Sequence, residues 1–120
     1  MPAGESATDC LFCKFVACQI PVEKLYDDPD SMAFRDINPQ APHHILIIPK
    51  SHIATLNDLS PADAEVVGKL HLVAAQLARE NGIAESGYRT VFNCNRDAGQ
   101  AVYHIHLHLL GGRELGWPPG

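Results

Sequence analysis

Three histidines at every second position, His104, His106 and His108, are the densest grouping of chemistry-bearing side chains in this 120-residue chain. Four more, His43, His44, His52 and His71, bring the total to seven. Histidine exchanges a proton near neutral pH, attacks electrophiles through a neutral ring nitrogen, and ligates metals. On a strand, successive side chains alternate faces, so the three imidazoles share one face about 6.5–7 Å apart while Ile105, Leu107 and Leu109 share the other. Three chemistries fit that face. It can be a solvated polar surface, a metal site in which His-x-His presents two nitrogens to zinc, or a metal-free site for attack on phosphorus. In the last case a neutral imidazole forms an N–P bond that water then breaks, and its neighbours hold phosphate oxygens and supply the leaving-group proton. Cys10 and Cys13 form a C-x-x-C pair, which suggests half a zinc site or a redox motif.

The elements that must position these groups follow from periodicity and punctuation. Asp9 to Val16 predicts a short amphipathic helix with Asp9 as N-cap and Leu11, Phe12, Phe15 and Val16 on its apolar side; Pro21 stops it. Glu23–Asp28 and Met32–Asp36 predict a hairpin around Asp28-Pro29-Asp30. Asn38 to Pro42 reads as a rigid polar loop between two prolines. His44 to Pro49 is a continuous apolar run, short enough for a central strand buried on both faces. Ser60-Pro61 opens the one long helix, whose Val66, Leu70, Val73 and Leu77 line a single stripe, and Gly82 closes it. Arg89–Asn93 and His104–Leu110 complete the strands, with Asn95–Ala101 as a loop between them. The expected fold is α+β, an antiparallel sheet of about five strands with one long and one short helix. Residues 1–8 are expected to be a disordered tip and 9–120 a single domain.

Composition narrows the function further. The chain is 46% hydrophobic and 19% charged, and its nine basic against 14 acidic residues give a formal charge of −5. Nucleic-acid binding needs a basic face to displace counterions, so no nucleic-acid partner is expected. No apolar run approaches the ~20 residues that span a bilayer, and Met1 to Asp9 carries no secretory pattern. The expected setting is therefore a reducing compartment, the cytoplasm and also the nucleus, with no membrane partner. Cys18 and Cys94 lack ligand spacing and read as buried inert thiols. His43 and His71 read as ordinary residues.

His104-Ile105-His106-Leu107-His108-Leu109-Leu110 resembles the His-φ-His-φ-His-φ-φ signature (φ hydrophobic) of the histidine-triad (HIT) nucleotide-binding proteins. Gly111-Gly112-Arg113 and Trp117-Pro118-Pro119-Gly120 resemble the ending of that family's Hint branch. Phe34 to Ile37, Pro39 to Pro42, Ile48 to His52 and Gly99 to Tyr103 fit the same family in the same order, so the resemblance runs from about Asp9 to Gly120. It implies a HIT-like fold paired in a homodimer, hydrolysing purine nucleoside phosphoramidates of the AMP-amine or AMP-lysine type through a nucleotidyl-histidine intermediate. Dinucleoside polyphosphate hydrolysis, the activity of the sister branch, is the enzymatic alternative; a nucleotide-binding regulator or scaffold with incidental hydrolysis is the other.

Carried over by resemblance, His106 is the nucleophile and His108 contacts phosphate and serves the leaving group. The backbone carbonyl of His104 fixes the His106 tautomer, and His44 is a candidate proton relay. Asp36 holds the ribose hydroxyls. Phe12, Phe15, Phe34 and Ile37 form the base slot, for which ordinary core is the competing reading. Asn93, Gly99 and Gln100 line the phosphate, Ala101 and Val102 also belong to the nucleotide site, and the Trp117 tail reaches toward the partner's site. An AMP- or GMP-type purine nucleotide is the implied small-molecule partner.

Two departures from the Hint pattern stand out. The family's usual serine before Val-Tyr-His is Ala101 here, which removes one hydroxyl donor. The cysteine pair is the second departure. By resemblance to microbial members, Cys10, Cys13, His52 and His104 form a closed structural zinc site, and the chemistry itself requires no cofactor. Two unligated thiols beside a hydrogen-bonded His52 are the alternative.

Overall fold

The computed structural model describes residues 9–120, so the expected disordered tip at 1–8 lies outside the described residues. In chain order the elements are α1 (Leu11–Val16), β1 (Tyr26–Asp27), β2 (Ser31–Arg35), β3 (His43–Pro49), α2 (Ala64–Glu80), β4 (Tyr88–Val91), α3 (Asn95–Ala98) and β5 (Leu107–Gly111). The five strands form one antiparallel sheet in the order β1-β2-β3-β5-β4.

The β3 run is buried along its length after His43, as a continuous apolar stretch requires when both faces are covered. On one face Ala33, Ile45, Ile47, Leu107 and Leu109 pack against Leu70, Val73, Ala74, Leu77 and Ala78 of α2. Burying one such aliphatic side chain contributes about 1.5–3 kcal/mol, so the stripe anchors the helix. On the other face Met32, Phe34, Leu46 and Ile48 meet Cys10 and Phe12 at α1. Phe34 pairs with Leu46 and Leu46 with His108, so His108 continues the row of side chains begun by Phe34 and Leu46.

Several boundaries differ from expectation. The last strand was expected from His104, but its ladder begins only at Leu107. The neighbouring strand ends at Pro49, which has no N–H to continue a ladder. His104 to His106 are tied down by other bonds instead: the Ile105 N–H donates to Ile53 O at 2.8 Å. The cap of α1 is Cys10, whose sulfur accepts from the Cys13 N–H, and not Asp9. The first hairpin strand shrinks to Tyr26–Asp27, because the Asp28 carboxylate takes the N–H groups of Asp30 and Ser31 and makes the turn.

Ser60-Pro61 opens a 3₁₀ turn, Pro61–Asp63, that runs into α2. Val66 is only half-buried, and Gly82 closes the helix at φ +74°. The β4 strand spans Tyr88–Val91 rather than reaching Asn93, and the Asn95–Ala101 loop contains the one-turn α3. Cys18 is exposed and Cys94 half-buried, so neither is the buried thiol expected. His71 is exposed on α2, its ring 6.0 Å from that of Phe92.

Candidate active site

A cavity of about 330 Å³ opens between α1, β2 and the segment following β4. Phe12, Phe15 and Phe34 make its apolar wall, with ring centroids 5.1–5.9 Å apart. Asn93, Gly99, Ala101 and Val102 face them, His106 and His108 lie inward, and Asp36 stands at the rim. These are the residues expected from the sequence, brought together from four separate elements. Leu11, Val22, Leu46 and Arg35 line the cavity too and were not anticipated. Leu46 was within reach, since it lies two residues from His44 on a strand and so shares its face.

Three expected residues behave differently. Ile37 lines the cavity with a fully exposed side chain, so it forms an open edge of the slot rather than its buried wall. Gln100 is buried and its side chain is spent on the backbone. It accepts from the Asn95 N–H at 2.9 Å and donates to Ala54 O at 2.8 Å and Val102 O at 3.1 Å. It is therefore a strut behind the loop rather than a phosphate contact. Trp117, 82% exposed, stands outside the cavity with the Arg89 guanidinium 5.8 Å from its ring. Gly99 lines the cavity at φ +77°, a conformation that favours glycine, but its own N–H turns back to Arg96 O.

The histidine ring nitrogens are told apart by neighbours that can only donate or only accept. His106 Nδ1 lies 2.8 Å from His104 O. A carbonyl only accepts, so Nδ1 carries the proton and Nε2 keeps its lone pair. On the opposite side of the site the Gln40 N–H donates to His44 Nδ1 at 3.0 Å. That makes His44 Nδ1 an acceptor and places the proton on Nε2, which lies 2.8 Å from His108 Nδ1. His108 Nδ1 then accepts, and its buried Nε2 carries a proton with no partner among the described residues. Of the two imidazoles that line the cavity, His106 thus keeps its Nε2 lone pair and His108 carries its proton on Nε2. The ring centroids of His106 and His108 are 4.9 Å apart, closer than the expected backbone spacing because the rings lean together.

Burial holds these rings neutral. It lowers His44 and His106 from the ordinary value and pushes His108 down to about 4, with nearby His106 and His44 acting in the same sense. Asp36 opposes the shift, its Oδ2 lying 3.5 Å from His44 Nε2. Its other oxygen accepts from the Asn38 N–H at 2.8 Å.

A second cluster lies behind Phe12, whose ring is 5.2 Å from His106 and 5.9 Å from His104. Here the sulfurs of Cys10 and Cys13 and ring nitrogens of His52 and His104 all fall within 4.8 Å of one another. His104 Nε2 donates to Pro49 O at 2.8 Å, so Nδ1 holds the lone pair and faces both sulfurs, at 3.4 and 3.5 Å. His52 Nδ1 is 3.3 Å from Cys13 Sγ. Burial pushes His104 down to about 4, which keeps it available as a ligand. Two sulfurs and two imidazole nitrogens suit a tetrahedral zinc ion, so the residues fit the metal.

Asp36, His44 and His108 also have ligand-like spacing, but Gln40 leaves a proton on the His44 nitrogen that faces the other two. That trio suits hydrogen bonding, not coordination.

The fold is an antiparallel sheet whose last strand, with the segment just before it, brings two imidazoles to an apolar cavity. The chain belongs to the HIT domain family, which it matches over residues 17–115. It is 52% identical over 110 residues to the purine nucleoside phosphoramidase of Escherichia coli (strain K12), covering 92% of each chain. Among solved structures it resembles a HIT family hydrolase from Legionella pneumophila Philadelphia 1, with TM-score 0.90 and 55% identity over 92% of this chain and 99% of that one. A histidine triad protein from Clostridium difficile follows at TM-score 0.88 and 40% identity, covering 93% and 97%.

Proposed function

We propose that the protein is an enzyme that hydrolyses the P–N bond of purine nucleoside phosphoramidates. The observation that carries this reading is the His106 imidazole. Its Nδ1–H is held by the His104 carbonyl and its Nε2 lone pair is free to attack, in a chain half identical to a purine nucleoside phosphoramidase. The base lies in the Phe12, Phe15 and Phe34 slot, Asp36 takes the ribose hydroxyls, and Asn93, Gly99, Ala101 and Val102 border the phosphate.

His106 Nε2 attacks phosphorus, and the P–N bond breaks with its electron pair passing to nitrogen. That nitrogen takes a proton relayed from solvent through His108 Nε2, and a nucleotidyl-histidine remains. Water then attacks phosphorus, the pair returns to His106 Nε2, and the proton released leaves by the same route. The products are the amine and a nucleoside monophosphate. The His44 Nε2–H holds His108 in the tautomer this relay needs.

Cys10, Cys13, His52 and His104 hold a structural zinc in this reading, joining the N-terminal helix to the segment that carries the nucleophile. Zinc supplies cross-linking there and takes no part in the bond-making steps. The enzyme works as a homodimer, with Trp117 reaching the partner's site, in the reducing cytoplasm where the thiols stay available. Hydrolysis of an AMP-lysine analogue by the native protein and by His106→Ala tests the reading. Turnover retained in His106→Ala, or no trapped nucleotidyl adduct in the native protein, overturns it.

A further inference from the structure

The ending Gly111-Gly112-Arg113 does not touch the cavity, yet the chain is closely fitted there. A Cβ on Gly111 would stand 2.5 Å from Ile83 Cδ1, and one on Gly112 would stand 2.9 Å from Pro42 Cβ. Gly112 has φ +95°, a left-handed conformation. The backbone therefore turns sharply against the 38–42 loop and delivers Arg113 to it. There Arg113 Nη2 and Nε donate to Gln40 O at 2.9 and 3.2 Å, gripping one carbonyl with two arms of the guanidinium. The N–H of the same residue, Gln40, donates to His44 Nδ1. The opposite end of the loop is held by the Asp36 carboxylate on the Asn38 N–H.

We propose that Arg113 is a positioning residue for the active site, acting through the Gln40 peptide groups on the tautomers of His44 and His108. With the carbonyl gripped, the Gln40 N–H stays aimed at His44 Nδ1 and forces the His44 proton onto Nε2. His108 must then accept at Nδ1 and show its proton at Nε2, facing the reacting phosphorus. Without the grip the Gln40 backbone is free to turn about its Cα and swing its N–H off His44 Nδ1, and His44 becomes free to carry its proton on Nδ1 instead. His108 then turns a lone pair toward the cavity in part of the population, and the relay lacks its proton. An arginine at the C-terminal end of the fold, outside the cavity, thus sets the protonation pattern of the site.

This inference rests on the proposed phosphoramidase reaction for its catalytic consequence, but its tautomer arm needs no substrate. The experiment compares the native protein with Arg113→Ala, Arg113→Lys and Arg79→Ala, the last removing an exposed arginine from the end of α2. Histidine ring ¹⁵N signals are recorded on the free protein, together with kcat and KM on an AMP-lysine analogue. In Arg113→Ala the His44 and His108 signals move from single tautomers toward a mixture. There kcat falls by on the order of tenfold, a fraction of what an acid–base group supplies, and KM changes less than about twofold. Arg113→Lys, with one donor arm, is intermediate, and Arg79→Ala matches the native protein. Unchanged ring signals in Arg113→Ala overturn the proposal, and so does a kcat loss without a tautomer change or a tautomer change without a kcat loss. Absence of turnover in the native protein would count against the reaction, while the ring signals would still decide the role of Arg113.

Discussion

The two imidazole clusters both meet the Phe12 ring and each takes one histidine from the three-residue segment His104–His106, yet they are prepared for opposite tasks. His106 faces the cavity with its Nε2 lone pair because the His104 carbonyl holds Nδ1–H. His104 faces two sulfurs with its Nδ1 lone pair because the Pro49 carbonyl holds Nε2–H. Residue type and burial are nearly shared, and both residues precede the β5 ladder; what differs is the placement of a single backbone acceptor. Which nitrogen a histidine offers, and to what, is decided by one hydrogen bond on the ring's far side.

The sharpest way to break the comparison is to remove one nucleophile and watch the other cluster. In His106→Ala, phosphoramidate turnover falls by at least about 10³-fold while metal content, read by elemental analysis, stays that of the native protein. Next in size is Cys10→Ser, which leaves the protein without stoichiometric zinc. It loses stability on the order of 3 kcal/mol in a chemical denaturation curve, the scale set by losing a ligand bound well above its dissociation constant. Its nucleotide affinity stays close to native. If Cys10→Ser abolishes turnover as fully as His106→Ala, the two clusters are one unit and the division drawn above fails.

The pH dependence sharpens the cavity side. His108 is held near 4 in the folded protein against an ordinary value of 6.5, so below 6.5 the unfolded chain takes up a proton that the folded one refuses. Its contribution to stability is complete above about 6.5 and is lost as pH falls toward about 4, by on the order of 2 kcal/mol after allowance for its partial exposure. Thermal melts of the native protein and His108→Asn across that window should converge at the acid end; parallel curves would remove the argument. The smallest effect is expected at the rim. Asp36→Asn weakens discrimination between ribose and deoxyribose nucleotides by about tenfold, roughly 1.4 kcal/mol, measured as a ratio of kcat/KM values.

Much of this was legible in advance. The alternation His-Ile-His-Leu-His-Leu separated an imidazole face from an aliphatic face, and the β5 residues obey it. The unbroken apolar run of β3 marked the strand buried on both sides, and the stripe on α2 named the helix that covers one of them. What could not be read were partners that are backbone atoms. The Pro49 carbonyl, the His104 carbonyl and the Gln40 N–H carry no residue-type signature, because every residue but proline has both groups. Gln100 is placed differently for a related reason: a polar side chain next to a cavity-lining loop looks the same in sequence whether it points into the cavity or props the loop from behind. The early end of the β5 ladder depended on where its neighbour stopped pairing, a property of two segments 55 residues apart.

The sequence by itself determined the inventory and its faces: which side chains can do acid–base, nucleophilic or metal chemistry, and which of them lie on the same side of a strand. Those follow from local geometry, the two-residue period of a strand and the 3.6-residue period of a helix. Only the tertiary structure decided the direction of each proton. A histidine's tautomer depends on the single donor or acceptor that folding brings to its far nitrogen, and such contacts join residues that local rules never relate.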